Sequence, residues 1–270
     1  MRQDPIKNLR EKCTGCFSCY QVCATHAIEK KQCDDGFFYP FINENVCISC
    51  GLCTQVCSIN KSKEKTTVQS IYSAQAKDGD IRYRGSSGGI FELLSKKIMR
   101  DGGVVYGAVL DSEEKKVYHT STNTTQLVHI LRSKYVQSNT KETFKEVGYA
   151  LQNGRMVLYC GTPCQIHGLK NYLQVKKIDG PLYTVDFFCH GVPSPEYFSF
   201  MMSDIEKQNK HRIVDFTFRE KDNGWHEQTL KAYLEDGSVW KKKSLDHYYY
   251  FFFLNNYTLR NSCYHCDLYD

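Results

Sequence analysis

Two runs of four cysteines with the same spacing constrain this chain more than any other feature. The pattern Cys-x-x-Cys-x-x-Cys-x-x-x-Cys begins at Cys13 and is repeated from Cys47. In such a run, three thiolates surround one cubane cluster and the fourth cysteine reaches the cluster of the other run. The spacing therefore predicts two 4Fe–4S clusters. The expected ligand sets are Cys13, Cys16, Cys19 and Cys57 for one cluster, and Cys47, Cys50, Cys53 and Cys23 for the other.

A zinc ribbon or a disulfide framework is the alternative interpretation of so many cysteines. Structural zinc sites favour separated C-x-x-C pairs over runs of four. Disulfides are rare in reducing compartments, and the polar N-terminus MRQDPIKNLR lacks the apolar region of a secretion signal. The residue after the fourth cysteine is Ala24 or Ser58 rather than proline, and Cys33 falls outside both runs. The two-cluster interpretation is therefore preferred, with Cys33 as a packing thiol.

The composition places the chain among proteins with a substantial buried core. It has 270 residues, of which 41% are hydrophobic, and a formal net charge of +5. So small a charge gives no reason to propose a nucleic-acid partner. The longest aromatic stretch, Tyr248–Leu254, is too short to span a bilayer. We therefore expect a cytoplasmic protein without a membrane span.

The pattern of residues changes after the cysteine runs. Residues 58–67 are polar and aperiodic, which marks a boundary. We expect a ferredoxin-type domain at 1–60, a linker at 61–70 and a second domain at 71–270. Helix-like and strand-like segments alternate in the second domain, which predicts an α/β unit with a mixed sheet and an overall α+β class. The expected helices are Ile90–Arg100, Glu142–Gln152 and Cys164–Leu173, and the expected strands are Val104–Leu110, Met156–Cys160, Leu182–Phe188, Ile213–Phe218 and Thr229–Leu234.

Four further cysteines in the second domain have irregular spacing. Cys164 follows a strand at the start of a helix, where a thiolate is favoured, and Cys189 follows another strand. Together with Cys263 and Cys266 they would suit a third cubane, or they are buried packing thiols. Another hypothesis makes Cys164 or Cys160 a nucleophile with a nearby histidine as base, but no G-x-S-x-G motif accompanies it.

A Gly/Ser-rich segment, Arg84–Gly89, precedes the expected helix at Ile90–Arg100. Small residues at a helix N-terminus allow backbone N–H groups to approach an anion such as a phosphate. A plain Gly/Ser turn explains the same residues.

Several segments in the same order resemble the coenzyme F420 hydrogenase/dehydrogenase β-subunit family over nearly the whole chain. They are GSSGGIFELL (85–94), GGVVYGAVL (102–110), RSKYVQS (132–138), GTPCQIHGLK (161–170), DFFCHGVPSP (186–195), FREKDNGW (218–225) and SCYHC (262–266). The resemblance implies a flavoprotein that passes electrons between 4Fe–4S clusters and FAD. Relatives continue past the C-x-x-C pair with a stretch like DITIGDFWG, so it also implies a family domain truncated at its C-terminus.

The resemblance also implies particular site residues. A third 4Fe–4S cluster would be held by Cys164, Cys189, Cys263 and Cys266. The flavin pocket of the α/β flavin-binding-type domain would include Ser86, Ser87, Gly88, Gly89, Lys134 and Tyr135.

The expected function is therefore that of an iron–sulfur oxidoreductase subunit of hydrogenase, dehydrogenase or reductase type. Its flavin would exchange hydride with a soluble hydride carrier or a small-molecule substrate. Its clusters would exchange electrons with a redox partner protein or subunit. The alternative is an electron-transfer or docking subunit that carries no flavin.

Overall fold

The computed structural model describes residues 11–60, 67–222 and 224–268. Helices and strands are mixed throughout, and the expected α+β class with a mixed sheet is confirmed. Most of the expected linker, residues 61–66, lies outside the described residues, and residues 67–70 form no helix or strand. None of the helices in the described ranges is long and apolar enough to cross a bilayer.

The two cysteine runs fold into two similar helical turns. Helix α1 (Ser18–Val22) and helix α2 (Leu52–Val56) each carry the third cysteine of a run and end at the fourth. Between them, strand β1 (Ile28–Gln32) pairs antiparallel with β2 (Phe38–Ile42). The chain then continues into a short 3₁₀ helix at Ser58–Asn60. The repeated spacing of the sequence thus becomes a repeated local structure.

Seven further α-helices follow. The prediction at Ile90–Arg100 is confirmed at both ends, because Gly89 adopts a left-handed conformation before it and Gly102 and Gly103 follow it. The helices are α3 (Gly79–Arg84), α4 (Ile90–Arg100), α5 (Leu127–Ile130), α6 (Thr143–Gln152), α7 (Pro163–Lys176), α8 (Pro195–Asn209) and α9 (Tyr248–Leu254).

Seven strands form two sheets in the second half of the fold. The first sheet has the order β4-β3-β5-β6, with β4 antiparallel to β3 and the other pairs parallel. The second is an antiparallel sheet of order β7-β8-β9. The strands are β3 (Val104–Asp111), β4 (Lys116–Thr122), β5 (Val157–Cys160), β6 (Leu182–Val185), β7 (Ile213–Glu220), β8 (Thr229–Leu234) and β9 (Val239–Lys243).

Three apolar clusters hold these elements together. One joins α4 and α5 to β3 and β5, and another joins α8 and α9 to the antiparallel sheet. The cluster that matters most for the site packs α6, α7 and β5 against Val22 of α1 and Val56 of α2. Burial of each of these two valines stabilises the fold by about 1.5–3 kcal/mol. The cysteine-rich segment is therefore built into the core of the remaining fold.

Two predictions of elements need correction. The strand expected at Leu182–Phe188 ends at Val185, because its partner β5 ends at Cys160, directly opposite. Phe188 is consequently 96% exposed, in a loop that carries Cys189. The strand expected at Ile213–Phe218 continues to Glu220, because Glu220 pairs with Thr229 of β8.

Candidate metal centres

The first cysteine cavity lies beneath α1 and next to α2. Its walls include Pro40 and Thr54 as well as cysteines from both runs. The cysteines are the four expected for one cluster, with Cys53 of the other set at the edge: Cys13, Cys16, Cys19, Cys57 and Cys53. The crossing of Cys57 from the second run to the first cavity is the arrangement that the spacing predicts.

The second cysteine cavity is the more open to solvent, since Cys50 on its wall is an exposed residue. The backbone N–H of Ala27 donates to Sγ of Cys23 at 3.3 Å, a contact that favours a thiolate at this position. Its four cysteines are the other expected set, Cys23, Cys47, Cys50 and Cys53. Because Cys53 lines both cavities, the first and second cavities are direct neighbours.

The third cavity brings together four cysteines that are far apart in the sequence. Two pieces of backbone pairing create it: Pro193 forms an antiparallel bridge with Leu259, and the N–H of Arg260 donates to the carbonyl of Val192 at 3.0 Å. This pairing places the loop after β6 beside the 3₁₀ helix at Asn261–His265. The four cysteines on the cavity wall are Cys164, Cys189, Cys263 and Cys266.

The N-terminus of α7 positions Cys164 in this cavity. Thr162 and Gln165 form a capping arrangement in which the N–H of Thr162 donates to Oε1 of Gln165 at 3.0 Å. The buried amide of Gln165 also donates to Oγ of Ser138 at 2.9 Å. The motif Thr162-x-x-Gln165 is a visible sequence signal for this cap, although the prediction of the helix did not draw on it.

The third cavity adjoins the first one. Thr14 lines both cavities, and the amide of Gln137 donates to the Thr14 carbonyl at 2.9 Å. One turn after Cys164, Gly168 lies so close to α1 that a Cβ there would be 3.0 Å from Sγ of Cys16. The three cavities therefore follow one another in the order second, first, third.

Burial dominates the acid–base properties of the thiols. It raises the pKa of Cys57 and that of Cys189 to about 11 each, and it raises the pKa of Cys164 further. For Cys13, burial also raises the pKa, although the positive charge of Arg260 opposes it. Burial thus disfavours a thiolate at Cys164, which argues against a nucleophilic thiolate there.

The remaining two cysteines are away from the three cavities. Cys33 lies in the turn between β1 and β2, where its N–H donates to the carbonyl of Phe37 at 2.9 Å. Cys160 ends β5, and its carbonyl lies 3.0 Å from Nε2 of the buried His119. Burial raises the pKa of the Cys160 thiol to about 12. Cys160 thus has the environment of a packing residue.

The three sets of cysteines fit cubane clusters by the chemistry of their donors. All fourteen cysteines are free thiols, and each cavity is lined by the four that a 4Fe–4S cluster requires. In a cubane each cysteine binds a different iron. Within 11–60, 67–222 and 224–268, no three His, Cys, Asp or Glu side chains form a site for a single metal ion.

The residues proposed for a flavin fall into two groups. Ser86, half-buried before α4, lies next to the loop after α5, because its Oγ accepts from Oγ of Ser133 at 3.0 Å. Its neighbour Ser87 is exposed. Gly88 and Gly89 are closely packed: an added Cβ would lie 2.8 Å from the Ala74 carbonyl oxygen at Gly88 and 2.8 Å from Cγ2 of Ile81 at Gly89.

The side chains of Lys134 and Tyr135 make contacts within the fold. The Lys134 ammonium donates to the carbonyls of His129 and Leu131, at 2.8 and 2.7 Å, at the C-terminal end of α5. Burial lowers its pKa to about 7. The ring of Tyr135 packs against Phe218 and Tyr250, with centroids 5.9 and 5.4 Å away. Lys134 and Tyr135 are therefore packed within the fold, and the other four candidates precede α4.

The structure also reveals one residue that sequence reasoning missed. Arg260 is fully buried between the first and third cavities, and its guanidinium donates to the Cys13 carbonyl at 2.6 Å. An isolated arginine three residues before a C-x-x-C pair carries no pattern that indicates this role.

Comparison with known proteins gives two matches to family models. Residues 12–60 match the 4Fe-4S dicluster domain, and residues 154–270 match the C terminus of the coenzyme F420 hydrogenase/dehydrogenase beta subunit. All eight cysteines of the two runs lie in the first match, and the four of the third cavity lie in the second. No curated protein matches the chain.

Structural comparison gives a partial match to a chain of the xenon-derivatised F420-reducing NiFe hydrogenase complex from Methanosarcina barkeri. The TM-score is 0.44 and the sequence identity is 16%. The likeness covers 63% of this chain and 58% of that chain.

Proposed function

We propose that this chain is an electron-relay subunit of an oxidoreductase. The proposal agrees with the match of residues 154–270 to the C terminus of the coenzyme F420 hydrogenase/dehydrogenase beta subunit and of residues 12–60 to the 4Fe-4S dicluster domain. One observation carries the proposal. Three cavities, each lined by four cysteines, adjoin one another through Cys53 and Thr14. Bound 4Fe–4S clusters would supply one-electron transfer along this row.

The chain's own residues prepare the three sites. The crossing of Cys23 and Cys57 between cavities fixes the two N-terminal sites relative to each other. The buried amides of Gln21 and Gln165 hold the two N-terminal sites in place relative to the third site. Gln21 accepts a hydrogen bond from the N–H of Phe144 at 2.8 Å, and Gln165 anchors the start of α7. Such rigid positioning is what electron transfer between fixed centres requires.

The open second cavity is the proposed point of contact with a redox partner protein or subunit. Cys50 is exposed there, as is Ile48, which also lines the cavity. The thiols of the first and third cavities are less exposed than Cys50. A partner that approaches the second cavity would therefore come nearest to a metal site of this chain.

A reductive titration of the reconstituted protein tests the relay. Each 4Fe–4S cluster takes up one electron, so we expect about three electron equivalents per chain. The variant Cys189→Ser should take up about two, whereas Cys160→Ser, the matched control, should behave like the parent protein. Uptake of only two equivalents by the parent protein would refute the third site.

We further propose that FAD is the cofactor at which the relay exchanges hydride with a soluble carrier or a small-molecule substrate. The supporting observation is that segments 84–89 and 132–133 meet, through Ser133 with Ser86 and through Arg132, whose Nε donates to the Arg84 carbonyl at 3.3 Å. Ser86 and Ser87, at the N-terminal end of the eleven-residue α4, are the residues suited to hold its phosphates. A bound flavin would convert between single electrons and hydride.

Flavin content separates this proposal from the alternative of a subunit that transfers electrons without flavin. After reconstitution with FAD we expect about one flavin per chain and about two further electron equivalents in the titration. Exchange of both serines for aspartate, in Ser86→Asp/Ser87→Asp, should release the flavin by charge repulsion and leave the iron content unchanged. Absence of flavin from the parent protein, with three electrons taken up, would favour the alternative.

A further inference from the structure

A buried positive charge lies between the first and third cavities. Arg260 has no exposed surface. Its guanidinium donates through Nε to the carbonyl of Cys13, and its own carbonyl accepts from the N–H of Cys263 at 2.8 Å. One residue thus connects a cysteine of each cavity, through its side chain to Cys13 and through its backbone to Cys263. We propose that Arg260 raises the reduction potentials of the clusters in the first and third cavities and so directs electrons toward them.

The environment of the guanidinium leaves its charge without a carboxylate partner. Its other donors reach Oε1 of Gln137 at 2.8 Å and the carbonyl of Phe38 at 3.1 Å. The rings of Phe37 and Tyr39 lie 5.1 and 4.2 Å from its central carbon. Within the described residues, all of the hydrogen-bond acceptors of the guanidinium are neutral.

A buried cation of this kind is costly unless a negative charge compensates it. Negative charge arises beside it at the thiolates of the two adjoining cavities, which must lose their protons to bind iron. A cubane with four thiolates is anionic, and reduction adds one more negative charge. Arg260 therefore stabilises the reduced state more than the oxidised state, because the Coulomb attraction grows with that charge.

Close packing also restricts the position of Arg260. A Cβ on Gly15 would lie 2.9 Å from Nη1 of Arg260, and a Cβ on Gly191 would lie 2.9 Å from Leu259 and 3.3 Å from Cβ of Cys263. Glycine at both positions allows the arginine and the two cysteine loops to approach this closely. All of the hydrogen-bond partners of Arg260 lie outside the walls of the second cavity.

Redox titration monitored by electron paramagnetic resonance tests the inference, which rests on the proposed relay. Arg260→Gln removes the charge, and Gln137→Glu neutralises it while the arginine stays in place. In both variants we expect the two inner clusters to become harder to reduce, by about tenfold in the equilibrium constant, or about 59 mV for a one-electron couple. The cluster of the second cavity should keep its potential.

Two controls separate charge from structure. Arg260→Lys keeps the charge and should change the inner potentials much less than Arg260→Gln. Arg212→Gln removes an exposed arginine, paired with Glu235, and should change none of them. If Arg260→Gln does not assemble its clusters, Gln137→Glu and Arg260→Lys decide the question.

Unchanged inner potentials in Gln137→Glu would overturn the inference, as would a shift in Arg260→Lys as large as that in Arg260→Gln. Failure of the relay proposal has a different signature. In that case the parent protein would hold about eight irons instead of about twelve, whatever the potentials are.

Discussion

At the scale of single residues, the two cysteine loops have the same backbone conformation, but glycine lies at different positions in them. Gly15 and Phe17 have positive φ angles of 69° and 58° in the first loop, and Ser49 and Gly51 have 54° and 74° at the equivalent positions of the second. Glycine thus occupies the first left-handed position in one loop and the second in the other. The reason is clear for Gly15 alone, because a Cβ there would lie 2.5 Å from Nε2 of Gln137, whereas Gly51 faces open space.

This difference predicts unequal effects of the same substitution. Gly15→Ala and Gly51→Ala should both lose about 1–2 kcal/mol of stability from left-handed strain. Gly15→Ala should lose more, because its methyl group overlaps with Gln137 and Arg260. Thermal unfolding of the reconstituted proteins measures the difference. Equal melting temperatures for the two variants would contradict the close packing of the first loop against Arg260.

At the scale of elements, helix α7 is the part of the fold that connects the N-terminal sites with the third. Its first turn carries Cys164, and Gly168 one turn later allows α1 to approach. A Cβ on Gly168 would lie 2.6 Å from Oγ of Ser18 and 3.0 Å from Sγ of Cys16. A helix with a larger residue at this position would keep the first cavity away from the third.

Gly168→Ala should therefore destabilise the protein, although alanine is the better helix former. We expect a net loss of about 1–3 kcal/mol from overpacking, with altered spectra of the cluster bound by Cys16. Gly148→Ala on α6 is the matched control, because the only contact of its Cβ closer than 3.4 Å would be with the movable Cδ1 of Ile178 at 3.0 Å. In that control the free energy of unfolding should stay unchanged or rise by up to about 1 kcal/mol. If thermal unfolding shows that Gly148→Ala is less stable than Gly168→Ala, the account is contradicted.

Patterns in the sequence predict those elements whose bounds depend on residues near in sequence. The bounds of α4 follow from its amphipathic spacing and flanking glycines. Helix α8 was not predicted, although the sequence contains signals for it. Ser194 caps the helix, Pro195 starts it, and its buried face consists of Phe198, Met201 and Ile205. The convergence of Cys189 with Cys263 could not be derived from spacing, since it depends on the pairing of Pro193 with Leu259 across the fold.

At the scale of the whole molecule, the cysteine-rich segment and the rest of the described chain form one continuous structure. Val22 and Val56 share an apolar cluster with α6 and α7, and the buried Gln21 bonds both Thr140 and the backbone of Phe144. The row of three cavities crosses this junction. The metal sites are therefore positioned by the same contacts that hold the two segments together.

Iron and acid-labile sulfide, counted per chain after anaerobic reconstitution, test the row of three sites most directly. We predict about twelve irons for the parent protein, about eight for Cys189→Ser and about twelve for Cys160→Ser, whose cysteine lies outside the cavities. About eight irons in the parent protein, or an iron content of Cys189→Ser equal to that of the parent, would contradict the third site and leave a two-cluster protein.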